Sequence, residues 1–481
     1  MELLSKKIIA KKEAKIKIMQ FGEGNFLRAF VDWIIQKMND SSLYEGHVVV
    51  VQPLPFGRVK ELKEQDGLFT LYLQGLNEGK VVKTHEVIDV LDDFINPYSE
   101  YDKFLKYAES EDLEVVISNT TEAGIVLDET DTDFENTPKT FPGKVLALLK
   151  RRYDHFNGDV NKGLSFICCE LIDYNGEELR KCVLGLAKVK GYDEKFVSWL
   201  NNACHFTSTL VDRIVPGYPR DEINEITEEL GYIDNNIVKG EIFHLWVLQK
   251  EETIERLFPC DKVGLNVIYA QSIVPYKQRK VKILNGCHTC MVPVAYLYGI
   301  DTVKESIEDE CVGRFAKEFV FDEVVPTIEL PSDQMVSFAN SVFERYLNPF
   351  VRHELMSIAL NSISKYKARV LPTVKDYLKI NGKLPSHAMF SLASLIHFYL
   401  GKRNENESIK LNDDPKYLEF FEELKKEDLC CCKIVRKVLS NKDMWGEDLN
   451  EVANMHEVVK TYFKQIKEKG MRTALKEFLE G

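Results

Sequence analysis

The residues of this chain best able to do chemistry together stand in one stretch, Lys280-Val-Lys-Ile-Leu-Asn285-Gly-Cys-His288. On an α-helix, at about 100° per residue, Asn285 lies about 140° and His288 about 80° around from Lys280, so the three share one half of the surface. A lysine, a carboxamide and an imidazole on one face suit hydride transfer to a ketone, whose oxygen gathers charge, needs donors and finally takes a proton. Asn285 and His288 would polarise the carbonyl. Lys280 would supply the proton, or take it as a neutral amine in the reverse direction, provided that burial and the neighbouring cations Arg279 and Lys282 ease its deprotonation. The rise from Lys280 to His288 would be about 12 Å, so the lysine must extend along a groove or lie at an irregular helix start. A plainer reading stays open: a solvated lysine, a helix break at Asn285-Gly286 and a packed histidine. Cys287 and Cys290 frame His288 and invite a zinc or redox role. A structural zinc site needs a second pair, however, and Cys430-Cys431-Cys432 offers no clear pairing pattern, so helix packing is the expectation for both.

A hydride needs a donor, and a second constellation suits one. Residues 16–20 alternate apolar and polar and end at Phe21-Gly22-Glu23-Gly24, after which residues 26–38 carry apolar groups at helical spacing. Residues 48–51 are all valine and stop at Gln52-Pro53, as a parallel strand buried on both faces should. Gly22 and Gly24 would let the backbone approach a pyrophosphate at the helix start. Leu27 stands where a third glycine is usual, and Gln52 where an acidic residue normally binds the adenosine ribose. Arg58 could meet a 2′-phosphate, so the residues alone leave NAD against NADP open. Asn119-Thr-Thr121-Glu122-Ala-Gly124 places polar groups after a strand at 115–118, where doubly wound sheets bind ligands; a capped turn would look the same.

The elements that must position these groups fall into two halves. Further strands at 68–73 and 164–169 and helices at 101–108, 144–153 and 177–188 give an α/β, Rossmann-type doubly wound sheet. After Pro275, residues 280–298, 303–319, 333–345, 352–366 and 387–400 favour helices, giving a mainly α-helical second domain. The expected domains are 1–272 and 273–481, with 402–414 an exposed polar loop. The 481 residues exceed what one core supports, and a net charge of −13 argues against nucleic acid as a partner. No apolar run is long enough to cross a bilayer and no export signal is evident, so a cytoplasmic protein is expected, its 11 cysteines reduced.

Gly22-Glu-Gly-Asn-Phe-Leu-Arg-Ala29, Gln65-Asp-Gly-Leu-Phe-Thr70, Asp212-Arg213 before Pro216, and Lys280 through His288 together resemble the polyol-specific long-chain dehydrogenases, which include mannitol dehydrogenase. The resemblance implies a metal-independent oxidoreductase with a Rossmann-type domain followed by a helical one. It puts Lys280 on the family's acid/base lysine, and Asn285 and His288 on its carbonyl-orienting pair. Its nucleotide loop falls on Ile18, Met19, Gln20, Phe21, Gly22, Glu23, Gly24, Asn25, Phe26, Leu27, Arg28 and Ala29, to which Gln52, Thr121 and Glu122 add candidate cofactor contacts. Leu171 stands where mannitol-type members carry an asparagine, which argues against mannitol. Residues 118–125, 169–176 and 210–221 are similar to the branch of the family that handles keto sugar acids, generally with NAD. A small sugar acid is then the expected substrate, and its carboxylate calls for a cation. Asp173, Asn175, Arg352, Lys365 and Arg369 are the candidate substrate contacts. Activity on an epimeric keto acid, or dinucleotide binding without turnover, remain alternatives, and the residues say nothing of oligomeric state.

Overall fold

The computed structural model describes residues 1–404 and 407–481. They divide into two compact units, Met1–Gly75 with Val81–Ile273, and Leu76–Lys80 with Val274–Gly481. The strands before residue 271 are β1 (Lys15–Phe21), β2 (Gly46–Val51), β3 (Phe69–Asn77), β4 (Lys80–Ile88), β5 (Leu91–Ile95), β6 (Val115–Ser118), β7 (Ser165–Cys168), β8 (His205–Asp212), β9 (Val238–Glu241), β10 (Leu245–Gln249) and β11 (Val267–Ala270).

Eight of them form one sheet in the order β11-β10-β8-β7-β6-β1-β2-β5. Every neighbour is parallel except β8 against β10. Side chains alternate between two cores: Ile18, Val48 and Val50 enter one, while Met19, Phe21, Val49 and Val51 enter the other. The unbroken valines of β2 follow, since both of its faces are covered. From β1 the chain winds outward through β2 to β5, then returns to lay β6 on the other side of β1. The sheet's order therefore reverses at the carboxyl end of β1, where open α/β sheets bind ligands.

The strand expected at 68–73 is found as β3, but it leaves the main sheet for a smaller one with β4 and β9. Asp234 anchors that departure, accepting from Gln65 Nε2 at 2.8 Å and from the Thr70 amide at 2.6 Å. The motif Gln65 to Thr70 thus serves structure.

The second unit is built of helices, and two of them, Gly286–Tyr298 and Ser386–Tyr399, are apolar nearly all round because they form its centre. The helix expected over 352–366 is not continuous. Asn361 takes a left-handed φ of 53°, which ends one short helix, Leu355–Ile358, and starts another, Ser362–Arg369. Arg352 and His353 precede both. Of the expected loop at 402–414, residues 405 and 406 lie outside the described residues. Lys402–Asn404 pairs with Glu407–Ser408, and Asp413 is not exposed but buried, accepting the Tyr399 hydroxyl. Among the described residues no helix is long and apolar enough to cross a membrane.

Candidate functional site

In the first unit the loop after β1 sits at the sheet's switch point. Gly22 has φ 122°, and a Cβ there would stand 3.1 Å from the Asn119 carbonyl, so the turn that brings the loops after β1 and β6 together requires glycine. Gly24 starts the following helix with open space around its Cα and no side chain capping the helix amides. Those amides remain available to an anion. The helix begins as Asn25–Leu27 and passes at once into a π-helical turn, Arg28–Asp32.

The loop is braced from several sides. Gln20 Nε2 donates to Gly22 O at 3.1 Å, and the buried Arg28 guanidinium donates to Asn25 Oδ1 at 2.7 Å, to the Glu23 carbonyl and to Asn236 O. Glu23 accepts from the Arg58 amide at 3.3 Å, latching the loop after β2, and burial holds its carboxyl above the usual range. Glu170, which the sequence reading did not single out, accepts from Ser118 Oγ, the Thr120 amide and Thr120 Oγ1 at 2.9–3.1 Å, fixing the loop after β6. Beyond it Thr121 holds φ 79°, a strained value for a β-branched residue, and both Thr121 and Glu122 are exposed.

Several nominated residues are placed otherwise than expected. The side chains of Ile18, Met19, Gln20, Phe21, Leu27, Arg28 and Ala29 are enclosed, because β1 is covered on both faces and the helix start packs on the sheet. Only their backbone remains for a ligand, whereas Glu23, Gly24, Asn25 and Phe26 keep accessible surface. Gln52 is buried and donates to Leu54 O at 2.8 Å. Arg58 donates through Nη2 to Asn235 O and Asn236 Oδ1. Asn175 is fully buried, with its carboxamide donating to Glu170 O and Thr209 O and accepting from the Thr209 and Gly176 amides, so its side chain is engaged as a structural clamp. Asp173 is exposed in the turn before it.

In the second unit the stretch Lys280–Asn285 is a π-helical turn that feeds directly into the helix Gly286–Tyr298. The Gly286 amide reaches back five residues to Val281 O. Such a turn brings residues five apart over one another, so Asn285 returns to the side of Lys280 instead of lying far around the axis. The turn is irregular but is not a helix start, because the helix Val274–Arg279 already leads into it. Asn285-Gly286 is therefore no helix break. A Cβ on Gly286 would stand 3.3 Å from the Arg369 carbonyl, so the glycine lets the helix Ser362–Arg369 come close.

His288 stacks on Tyr346 with ring centroids 4.3 Å apart and meets His353 edge-on at 5.1 Å. Tyr346 is held in turn by donating its hydroxyl to Leu284 O at 2.6 Å. His288 Nε2 is buried and has no hydrogen-bond partner among the described residues. Burial, and then the positive field of His353, Arg345, Arg369 and Lys365, push its pKa well below the ordinary histidine value, so the ring is neutral. Arg369 reaches Thr289 Oγ1 at 3.4 Å and Lys365 donates to Ile358 O at 2.8 Å. Neither has a carboxylate partner among the described residues, and burial lowers the pKa of both.

Two expectations change here. Lys282 is not a free cation beside Lys280, for its ammonium lies 2.7 Å from Asp376 and also bonds Thr327. Arg352 is exposed and paired with Glu354, apart from the cations around His288. Cys287 and Cys290 are buried in the helix core. Tyr346, His353 and Arg345 escaped the sequence reading because they reach His288 only through packing, from segments with no motif of their own.

The reversed sheet order, the glycine turn at the switch point and the helical second unit define a Rossmann-type protein of the dehydrogenase class. Residues 16–259 match the mannitol dehydrogenase Rossmann domain and residues 272–467 the mannitol dehydrogenase C-terminal domain, and the chain belongs to the mannitol dehydrogenase family. Within it, the chain is similar to the altronate oxidoreductase of Bacillus subtilis (strain 168), 45% identical over 463 residues, 96% of this chain and 95% of that protein. Its fold is that of a D-sorbitol dehydrogenase solved in substrate-free form, with a TM-score of 0.81 at 23% identity over 98% of this chain and all of the other. It is also that of the Pseudomonas fluorescens mannitol 2-dehydrogenase solved with NAD and D-mannitol, with a TM-score of 0.68 at 21% identity and full coverage of both chains.

Proposed function

We propose that this protein is an NAD-dependent oxidoreductase that interconverts D-tagaturonate and D-altronate, with Lys280 as general acid and base and Asn285 and His288 as the donors that polarise the ketone. The observation that carries the proposal is the neutral His288, whose buried Nε2 lacks a partner among the described residues, where Lys365 and Arg369 also stand close by without an ion-paired carboxylate. A group offering both a carbonyl oxygen and a carboxylate would complete all three, and a keto sugar acid is such a group. The 45% identity to an altronate oxidoreductase supports the same substrate class.

Gly22 at φ 122° and the uncapped amides after Gly24 fit a pyrophosphate, and membership of the mannitol dehydrogenase family supports NAD as the dinucleotide. When bound, the nicotinamide supplies or receives the hydride. The remaining work falls to the second unit. The His288 Nε2–H and the Asn285 carboxamide donate to the carbonyl oxygen as negative charge builds there, and the Lys280 ammonium then delivers the proton. In the oxidative direction the Lys280 amine removes the hydroxyl proton. Arg369, with Lys365, holds the carboxylate. The 11 unpaired thiols suit a reducing compartment such as the cytoplasm.

The test is NADH oxidation by the purified protein with D-tagaturonate, D-fructuronate and D-fructose. Fastest turnover of tagaturonate supports the proposal. Preference for fructuronate would reassign the substrate to its stereoisomer and keep the mechanism, and no turnover of any of the three would refute the enzymatic reading.

A further inference from the structure

Seven of the 11 cysteines are buried in the two units, and burial raises the pKa of these thiols, as at Cys168, Cys169, Cys204, Cys260, Cys287 and Cys290. They are inert packing groups. The run Cys430-Cys431-Cys432 is different, since all three line a surface cavity of about 650 Å³ together with Lys460 and Thr461. Cys430 precedes the helix Cys431–Leu439 and Cys432 lies in its first turn.

Cys432 has a partner that its neighbours lack. His456, from the first turn of the helix Met455–Lys469, places Nε2 at 3.7 Å from Cys432 Sγ and at 3.2 Å from Cys432 O. On its other side Nδ1 lies 3.1 Å from Glu457 Oε1. The imidazole is buried whereas Cys432 is only partly buried and lines the cavity. Nucleophile, imidazole and carboxylate therefore stand in series, the order in which a base is itself oriented by a third group. When the thiol proton passes to Nε2, each ring nitrogen carries a hydrogen with an oxygen to receive it, Glu457 on one side and the Cys432 carbonyl on the other. Among the described residues no group of three or more His, Cys, Asp or Glu side chains is placed to hold a metal ion.

We propose that Cys432 is a nucleophilic thiol, activated by His456 and Glu457, that exchanges with low-molecular-weight disulfides at the cavity. The Cys432 sulfur attacks one sulfur of R–S–S–R, a protein–S–S–R bond forms as the original S–S bond breaks, and the departing thiolate takes the proton from His456. Cys432 is oxidised and half of the small disulfide is reduced, so no other oxidant is needed. A small thiol reverses the reaction. The second unit thereby carries a reversible modification site separate from Lys280, Asn285 and His288.

The test treats the full-length protein with oxidised glutathione and follows the adduct by intact mass and by peptide mapping. The first adduct should map to Cys432, disappear in Cys432→Ser and reverse with dithiothreitol. His456→Asn should slow its formation roughly tenfold or more, because an unassisted thiol is only a few per cent ionised at neutral pH. Since His456 is buried, the exposed Glu457→Gln is the companion variant, and it should slow the reaction several-fold with an unchanged melting temperature. A first adduct at Cys430, Cys431 or Cys311, or a Cys432 rate unchanged in both variants, would overturn the proposal.

Discussion

Enclosed cations occur in both units, and they are used in opposite ways. In the first unit Arg28, Arg152 and Arg213 each end on several backbone carbonyls: Arg213 on Ala29, Ile242 and Phe243, and Arg152 on Ala108, Ser110, Leu113 and Lys162. Burial lowers the pKa of all three, yet their donors are occupied. In the second unit Arg369 has one long contact to a hydroxyl and Lys365 one carbonyl. A guanidinium carries five donors, so the count of satisfied donors separates an arginine that knits the chain from one that awaits an anion. The carboxamide of Asn175 is likewise saturated, whereas among the described residues the buried His288 Nε2 has no partner.

The comparison can be sharpened by substitution. Lys280→Ala should lower kcat for the keto acid by a factor on the order of 10² to 10⁴, with the thermal melt unchanged, because a lost proton donor affects chemistry and not packing. Retention of most of the rate would remove Lys280 from the mechanism. Arg369→Met should cost on the order of a hundredfold in kcat/KM for the acid and little for a neutral ketose, and it should leave stability equal or higher, since a half-buried charge without a counterion is removed. Equal losses on both substrates would break the distinction. Arg213→Met should do the reverse, lowering stability in urea by about 3 kcal/mol through its unpaired carbonyls and the lost stacking on Trp33, 4.3 Å away.

The smallest effect concerns pH. His244 in the first unit and His397 in the second are held by burial down to about 4 from 6.5. The unfolded chain therefore binds more protons than the folded one between those values, so these residues' contribution is full above pH 6.5 and is lost as pH falls toward 4. Urea midpoints at pH 7 and pH 5 would check this. Replacing both histidines with glutamine should flatten the slope.

Much of this was legible in the residues. The valine run of β2 required a strand covered on both faces, and the glycines at 22 and 24 marked the loop after β1. Lys280, Asn285 and His288 could be nominated from type and spacing, but that spacing suggested an extended lysine or an irregular helix start and not a π turn inside a helix that begins at Val274. What stayed hidden depends on long-range packing. Arg352 and Arg369 look alike in sequence, and only the break at Asn361 separates a surface ion pair from a cation beside His288. Asn175 has the composition of a ligand contact, but the approach of Thr209 and Glu170 consumes it. Glu170 lies in the stretch that carried the family resemblance, yet nothing local shows that its carboxylate clamps the loop after β6.

The turn Lys280–Asn285 holds one residue more than an α-helical turn needs. Deleting a single residue there, for example Val281, would let the segment wind as ordinary α-helix. Wound as ordinary α-helix with no residue removed, the same segment would instead turn Lys280 by about 100° relative to His288 without altering any of the proposed reacting groups. The arrangement of the proposed reacting groups is thus written partly in rotational phase, a property of how the turn is wound that a comparison of residue identities alone would overlook.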